Sequence, residues 1–380
     1  MNTYLSFILL LLCACAAVNL LFYSHQSFPV QHHPTESFVD LEPEDLTSSG
    51  TFQPDTTAVR EQIPGTTRAK EKWSGTGRKS SFRKLHNANQ DKMDRSATIF
   101  SFSVNNHTVC IRNTSDESEQ WDLVVVIISK VDHFLQRNAI RNTWASELSE
   151  INALAIFIVG QSDDNSINRQ VRKEAELYND LIQVELKDDY NVLTLKSIAM
   201  LQWLDDFCSN SKFYLKSDDD MYINIGNVIR EFTQCKEERF FLCHVFKNAP
   251  PIRDQFSKWY VSSKEFPQTF YPTYCSGTAY GFSSSIVSDL YRSSAQANLF
   301  RMEDVFITGI AAESIYIKHV HSWGFSFSKR QPTGCAFQNA STGHEVTVKE
   351  MYVIFAQLEN KEIDCSTKEN LYLLKAENEN

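Results

Sequence analysis

The chain has 380 residues, 42% of them hydrophobic and 12% aromatic, with a formal net charge of −10 and a pI near 5.5. That length and apolar content are enough for one large core or two smaller ones. The acidic balance excludes nucleic acid as the main partner, and a protein this acidic needs a cation to hold a polyanionic ligand.

From the N-terminus, Tyr4 to Tyr23 is uncharged and long enough to just span a bilayer. No Lys or Arg precedes it. The residues after it are acidic (Glu36, Asp40, Glu42, Glu44, Asp45), with no Lys or Arg before Arg60. A flank without cations favours placement outside the cytosol. Residues 1–23 are therefore read as a short cytosolic tail and signal-anchor of a single-pass type II membrane protein with a lumenal body. A cleaved signal peptide, with Cys13–Ala17 as its small-residue region, is the alternative. Residues 24–120 are polar, acidic at first and basic from Arg60 to Arg95, with no sustained apolar period, and read as a flexible stem. Within them, 97–110 could form a short strand pair at the domain edge. Beyond the apolar segment stand Cys110, Cys208, Cys235, Cys243, Cys275, Cys335 and Cys365. In an oxidising lumen most should pair, and the odd number leaves one over. Asn106, Asn113 and Asn339 head N-glycosylation triplets in form.

The body, 121–380, opens on Trp121–Ser129, a β-branched run without polar alternation, as in a parallel strand buried on both faces. A helix is predicted over 134–144, a strand over 153–159, a helix over 167–179 and a strand over 181–186. An amphipathic helix over 192–207 and a strand over 213–215 follow. This alternation predicts an α/β fold with helices on both faces of the sheet. The last strand runs into Asp218, Asp219 and Asp220, and an apolar run follows. Three carboxylates at one strand end call for a hard divalent cation, and such cations usually hold substrate phosphates. A solvated acidic turn is the plainer reading, which the apolar flanks oppose. Tyr271–Phe282, dense in aromatics and glycine, reads as a rigid close-packed loop, with an acceptor platform as the second reading. Glu303 and Asp304 open an apolar helix start, as an N-terminal cap, a general base, or both. The half from Phe240 on is poorer in clear helices and would build the acceptor side.

Taken together, Arg137–Trp144, Ile158–Gly160, Asp188–Ser197, Lys216–Asn224, Tyr271–Phe282 and Glu303–Val305 resemble, in order and spacing over roughly 123–353, the β-1,3-galactosyltransferase family of Golgi enzymes. That family includes β-1,3-N-acetylglucosaminyltransferases and, more distantly, Fringe-like enzymes. The resemblance implies a GT-A type fold, a Rossmann-like mixed sheet, and inverting transfer of a hexose from a UDP-sugar to a glycan on a glycoprotein or glycolipid. It places Asp218 and Asp220 at a Mn²⁺ site, with Asp220 preferred as the direct ligand and its neighbour on the ribose or the metal's water shell, Asp218 and Asp219 against the donor, and Asp304 as the catalytic base. His344 is similar to a C-terminal histidine that completes the metal site, with an ordinary surface histidine as the other reading. Arg141 and Lys196 could face the donor's negative charge; Arg141 could equally anchor its helix by pairing with a buried acid, and Trp144 reads as core. UDP-galactose is the first donor, with UDP-N-acetylglucosamine or UDP-N-acetylgalactosamine behind it. Two departures concern specificity: Ser276–Tyr280 stands where the family usually has a Gly-rich run, and His321–Phe337 shows little resemblance. A catalytically silent glycan-binding protein is the rival, but it would typically lose the carboxylates kept here. A two-metal phosphoesterase would need more scattered His and Asp ligands.

Overall fold

A computed structural model describes residues 100–111, 120–360 and 365. The apolar segment 4–23 and most of the expected stem lie outside the described residues. Among the described residues no helix is long and apolar enough to cross a membrane.

The strands are β1 (Phe102–Asn105), β2 (Trp121–Ile128), β3 (Ala153–Gln161), β4 (Leu181–Lys187), β5 (Ser211–Asp218), β6 (Tyr222–Ile223), β7 (Phe240–Phe246), β8 (Tyr274–Ser283), β9 (Lys318–His321) and β10 (Thr342–Gly343). Eight of them form one mixed sheet in the order β1-β4-β3-β2-β5-β8-β7-β9; β6 and β10 pair separately. β2 lies between β3 and β5, parallel to both, while β8 runs antiparallel to β5 and β7. The strand order reverses beside β2, so the carboxyl ends of β2 and β5 face a topological switch point, where open α/β sheets bind ligands.

The main helices are α1 (Phe134–Asn142), α2 (Asn165–Tyr178), α3 (Leu193–Phe207), α4 (Ile225–Gln234), α5 (Val287–Gln296), the short α6 (Gly334–Phe337) and α7 (Val348–Glu359). The uninterrupted apolar run of β2 is explained by its two faces. Val124, Val126 and Ile128 enter a core that includes residues of α3 and α5, whereas Leu123, Val125 and Ile127 enter a second core with residues of α1, α2, α4 and α7. Period-two alternation therefore divides one apolar strand between two cores. α3 is not the amphipathic helix expected. Ile198–Leu204 is buried without a break, because α3 lies between the sheet and α5 and has no free face.

Two further expectations change. Residues 102–110, counted with the stem, belong to the packed body: β1 adds to β4 as an antiparallel edge, and Cys110 is bonded to Cys208 of the turn after α3. The segment does not pair with itself. The Tyr271–Phe282 block is largely a central strand and not a loop, since β8 hydrogen-bonds on both edges. Its Gly281 is needed for close packing, because a Cβ there would come within 2.3 Å of the Phe232 ring. Cys243 and Cys275 tie β7 to β8, and Cys335 pairs with Cys365, leaving Cys235 as the free thiol among the described cysteines. Of the glycosylation triplets, Asn339 is exposed, Asn106 donates to the Ala175 carbonyl at 3.2 Å, and Asn113 lies outside the described residues.

Candidate active site

β5 carries alternating side chains, so Lys216 and Asp218 project to the same side at its end. The Lys216 ammonium, fully buried, donates to Asp218 Oδ1 at 2.6 Å and to the Gly277 carbonyl of β8 at 2.5 Å. It stands 3.9 Å from Glu303 Oε2. Glu303 in turn accepts from the buried Tyr280 hydroxyl at 2.8 Å. One buried cation thus serves carboxylates from two distant segments. Burial nevertheless pushes the Asp218 carboxyl up to about 6, against the pull of Lys216.

After the triplet the chain turns into β6, which pairs with β10 in the register Tyr222 to Gly343. Val346 N–H donates to the Asp220 carbonyl at 2.8 Å. This two-residue ribbon sets His344, the residue after β10, against Asp220, with Nε2 to Oδ2 at 3.3 Å. Trp144, buried as expected, fastens the same turn from behind by donating to the Met221 carbonyl at 3.2 Å. One ligand atom from each of Asp218, Asp220 and His344 lies within 4.8 Å of the others. Burial acts against the charged forms of Asp220 and His344, but their mutual contact wins; the carboxyl sits below its ordinary value and the imidazole above it. Two carboxylate oxygens and an imidazole nitrogen suit a divalent cation such as Mn²⁺.

Asp304 comes from a segment distant in sequence from the triplet. It caps the π-helical turn Val305–Ile310, accepting from Val305 N–H at 2.8 Å. The Thr308 hydroxyl donates to the Asp304 carbonyl at 2.6 Å and accepts from Cys275 N–H of β8 at 2.8 Å, which pins the turn to the strand. At Gly277 an added Cβ would stand 3.1 Å from Asp304 Cβ, so the missing side chain gives the carboxyl its place. Burial, followed by the charge of Glu303, pushes Asp304 up to about 7 although Val305 N–H and Lys216 draw it down.

Asp218, Asp220, His344 and Asp304 line a single cleft of about 520 Å³. The cleft lining is also rich in aromatic side chains, among them Tyr190, Phe246, Trp259, Tyr274 and Phe327. The sequence reading did not assign Lys216, Gly277 or Trp259. A lysine two residues before an acid in an apolar strand was a usable signal for Lys216; nothing local marked the other two.

Other expected site residues are engaged elsewhere. Asp219 accepts from the Ser129 hydroxyl at 2.7 Å and meets His133 Nδ1 at 2.9 Å, at the switch point between β5 and β2. Lys196 is buried against Asp188 at 2.5 Å and the Ser129 carbonyl at 3.1 Å; its charge is thus used by a protein carboxylate. Arg141 is absent from the cleft lining. It pairs with Glu174 and Asp180, each at 2.7 Å, with its guanidinium 4.0 Å from the Tyr178 ring centre. Its pairing with the buried Glu174 is the arrangement of the second reading of Arg141, an anchor joining α1 to α2. Arg141→Leu is expected to cost roughly 3 kcal/mol, the low end for a broken buried pair because Glu174 keeps Arg137. Chemical denaturation measures this. A raised donor KM with unchanged stability would return Arg141 to the donor.

The galactosyltransferase family model matches residues 135–322, from α1 through β9. Beta-1,3-galactosyltransferase 1 of Mus musculus is 31% identical over 267 residues, which cover 69% of this chain and 79% of the relative. The chain belongs to the galactosyltransferase family. Beta-1,3-galactosyltransferase 5 of Mus musculus is 33% identical over 251 residues, covering 64% of this chain and 81% of that one. Among solved structures, the WbbM bifunctional glycosyltransferase superposes with a TM-score of 0.37 at 9% identity, covering 70% of this chain and 52% of that one; the likeness is too loose to bear on function. As a member of this family the chain is a glycosyltransferase. The matched residues include the triplet, β8 and Asp304. His344 lies beyond them, and its place beside Asp220 rests on the β6–β10 ribbon.

Proposed function

We propose that this galactosyltransferase is an inverting β-1,3-galactosyltransferase that moves galactose from UDP-galactose to a terminal sugar of a glycoprotein or glycolipid. It would act as a type II Golgi membrane protein, with residues 1–23 as anchor and 24 to about 99 as stem. The observation that carries the reading is the shared cleft, whose lining includes both the Asp218, Asp220 and His344 cluster and Asp304.

In this reading Asp218, Asp220 and His344 hold Mn²⁺, and Asp219 at the switch point lies beside the nucleotide. When bound, the cation supplies neutralising charge for the leaving diphosphate. The donor set fits such a cation: Asp218 and Asp220 offer carboxylate oxygens and His344 an imidazole nitrogen, with ligand atoms within 4.8 Å of one another. Asp304 accepts the proton of the acceptor hydroxyl as that oxygen bonds to the anomeric carbon. The bond from that carbon to the diphosphate oxygen breaks on the opposite face, and UDP leaves. A single displacement inverts the centre and requires no protein nucleophile. Gly277 and Thr308 hold Asp304 in position, while the aromatic lining offers ring faces to a sugar.

The test is UDP release by the full-length chain in detergent, with UDP-galactose, UDP-N-acetylglucosamine and UDP-N-acetylgalactosamine, Mn²⁺, and simple galactosides and glucosaminides as acceptors. UDP-galactose should be preferred, with a β-1,3 linkage by NMR of the product. Preference for an N-acetylated donor would reassign the sugar. Mn²⁺-dependent UDP binding without transfer to any acceptor would favour the silent-binder rival.

A further inference from the structure

Beside the cleft, 252–261 forms a closed loop, with Val261 N–H donating to the Ile252 carbonyl at 2.9 Å. Arg253 braces its base by donating to the carbonyls of Val261 and Phe266, each at 2.8 Å. The tip is ordered too: Asp254 Oδ1 accepts from Phe256 N–H at 3.0 Å, and the Ser257 hydroxyl accepts from Trp259 N–H at 3.1 Å. This well-fastened loop presents Phe256 with 100% of its surface exposed, together with Trp259 at 44% and Ile252 at 43%. Lys258 lies 4.4 Å over the Trp259 ring. A fully exposed Phe on an ordered loop has no role in the core. Ile252, Lys258 and Trp259 also line the cleft, so the exposed patch continues into the candidate acceptor side.

We propose that this loop docks into a bilayer interface and that the acceptor is therefore a glycolipid headgroup; this rests on the transfer reading above. The residue types are those of interfacial segments, with apolar and aromatic side chains beside a basic one whose stem can lie along them. A second copy of the chain is a poor occupant, because one exposed Phe and two half-exposed neighbours fall far short of the roughly 800 Å² per partner of a stable interface. A bilayer needs only a few such side chains when the enzyme is already held at the membrane. Ile252, Lys258 and Trp259 belong both to the loop and to the cleft lining, so a bilayer that holds the loop adjoins the cleft.

The test uses the full-length chain in vesicles, with one acceptor sugar offered both as a glycolipid in the bilayer and as a water-soluble glycoside. Phe256 does not line the cleft. Phe256→Ser should lower kcat/KM for the lipid-borne acceptor about tenfold, the scale of withdrawing one phenyl ring from an apolar phase, and leave the soluble glycoside unchanged. A second readout does not depend on transfer: brominated lipids should quench part of the tryptophan fluorescence, and Trp259→Phe should remove that part. Equal loss on both acceptors, no loss on either, a strong preference for glycoprotein acceptors, or quenching unaffected by Trp259→Phe would each overturn the proposal. Absence of transfer to both acceptors by the unaltered protein, with quenching intact, would instead count against the transferase reading.

Discussion

Asp304→Asn is expected to lower kcat by roughly 10²–10⁴-fold, the usual contribution of a positioned general base. Binding of UDP with Mn²⁺ should change little, because the amide keeps the shape of the carboxyl and its oxygen can still accept from Val305 N–H. A second consequence follows from the raised carboxyl. In the folded protein Asp304 titrates at about 7, against an ordinary 3.8. Protonation therefore favours the folded state. That contribution is full below about pH 4 and is lost as the pH rises through 7. The gap corresponds to at most roughly 4 kcal/mol for a carboxyl that is only half-buried. In metal-free protein at pH 8, Asp304→Asn should thus raise Tm by up to several degrees, and the difference should close near pH 4. Scanning calorimetry at the two pH values checks it. A variant with little activity and lower stability at pH 8 would mark Asp304 as a structural cap and not a base held at a cost in stability.

The second large effect concerns the cation. Chelation should abolish transfer and restore it on return of Mn²⁺. Removing groups that merely orient metal ligands costs about 10–100-fold in affinity, so losing a direct ligand should cost at least that. Asp220→Ala is expected to lose more than His344→Ala, since it removes a charged oxygen and leaves His344 without its partner. The dependence on pH has a definite sign. Burial lowers the His344 imidazole, but Asp220 holds it above its ordinary value, and the protonated ring cannot ligate. Mn²⁺ affinity should therefore fall as the pH drops through the histidine range, with proton release on binding, and His344→Ala should flatten that dependence. Calorimetric titration in buffers of different ionisation enthalpy reads both quantities. Unchanged Mn²⁺ affinity in His344→Ala would confine the site to the two aspartates.

Much of the body follows from local pattern. The apolar runs of β2 and β3 have no polar alternation because both faces of a central parallel strand are covered, and this is visible in one dimension. Asp218–Asp220 is likewise legible, as three charges between two apolar runs. The odd number of cysteines beyond the apolar segment implied a leftover, and Cys235 is that residue among those described. Where local composition misled, pairing with distant segments prevailed. The glycines and aromatics of 274–282 looked like a loop, yet hydrogen bonds on both edges make them a central strand. For Arg141 both readings were open in the sequence, and Glu174 and Asp180 meet it across the α1–α2 contact.

The sequence alone therefore determined the kind of chemistry at hand: an α/β frame, an acidic strand end that calls for a cation, and a second acidic pair. Composition and order along the chain suffice for those features. Only the tertiary structure decided which charges meet. The β6–β10 ribbon brings His344 to Asp220, β8 brings Gly277 to Lys216 and Asp304, and the turn after β4 brings Asp188 to Lys196. A side chain's partner depends on strand register and helix packing between distant segments, which residue type and local spacing do not encode.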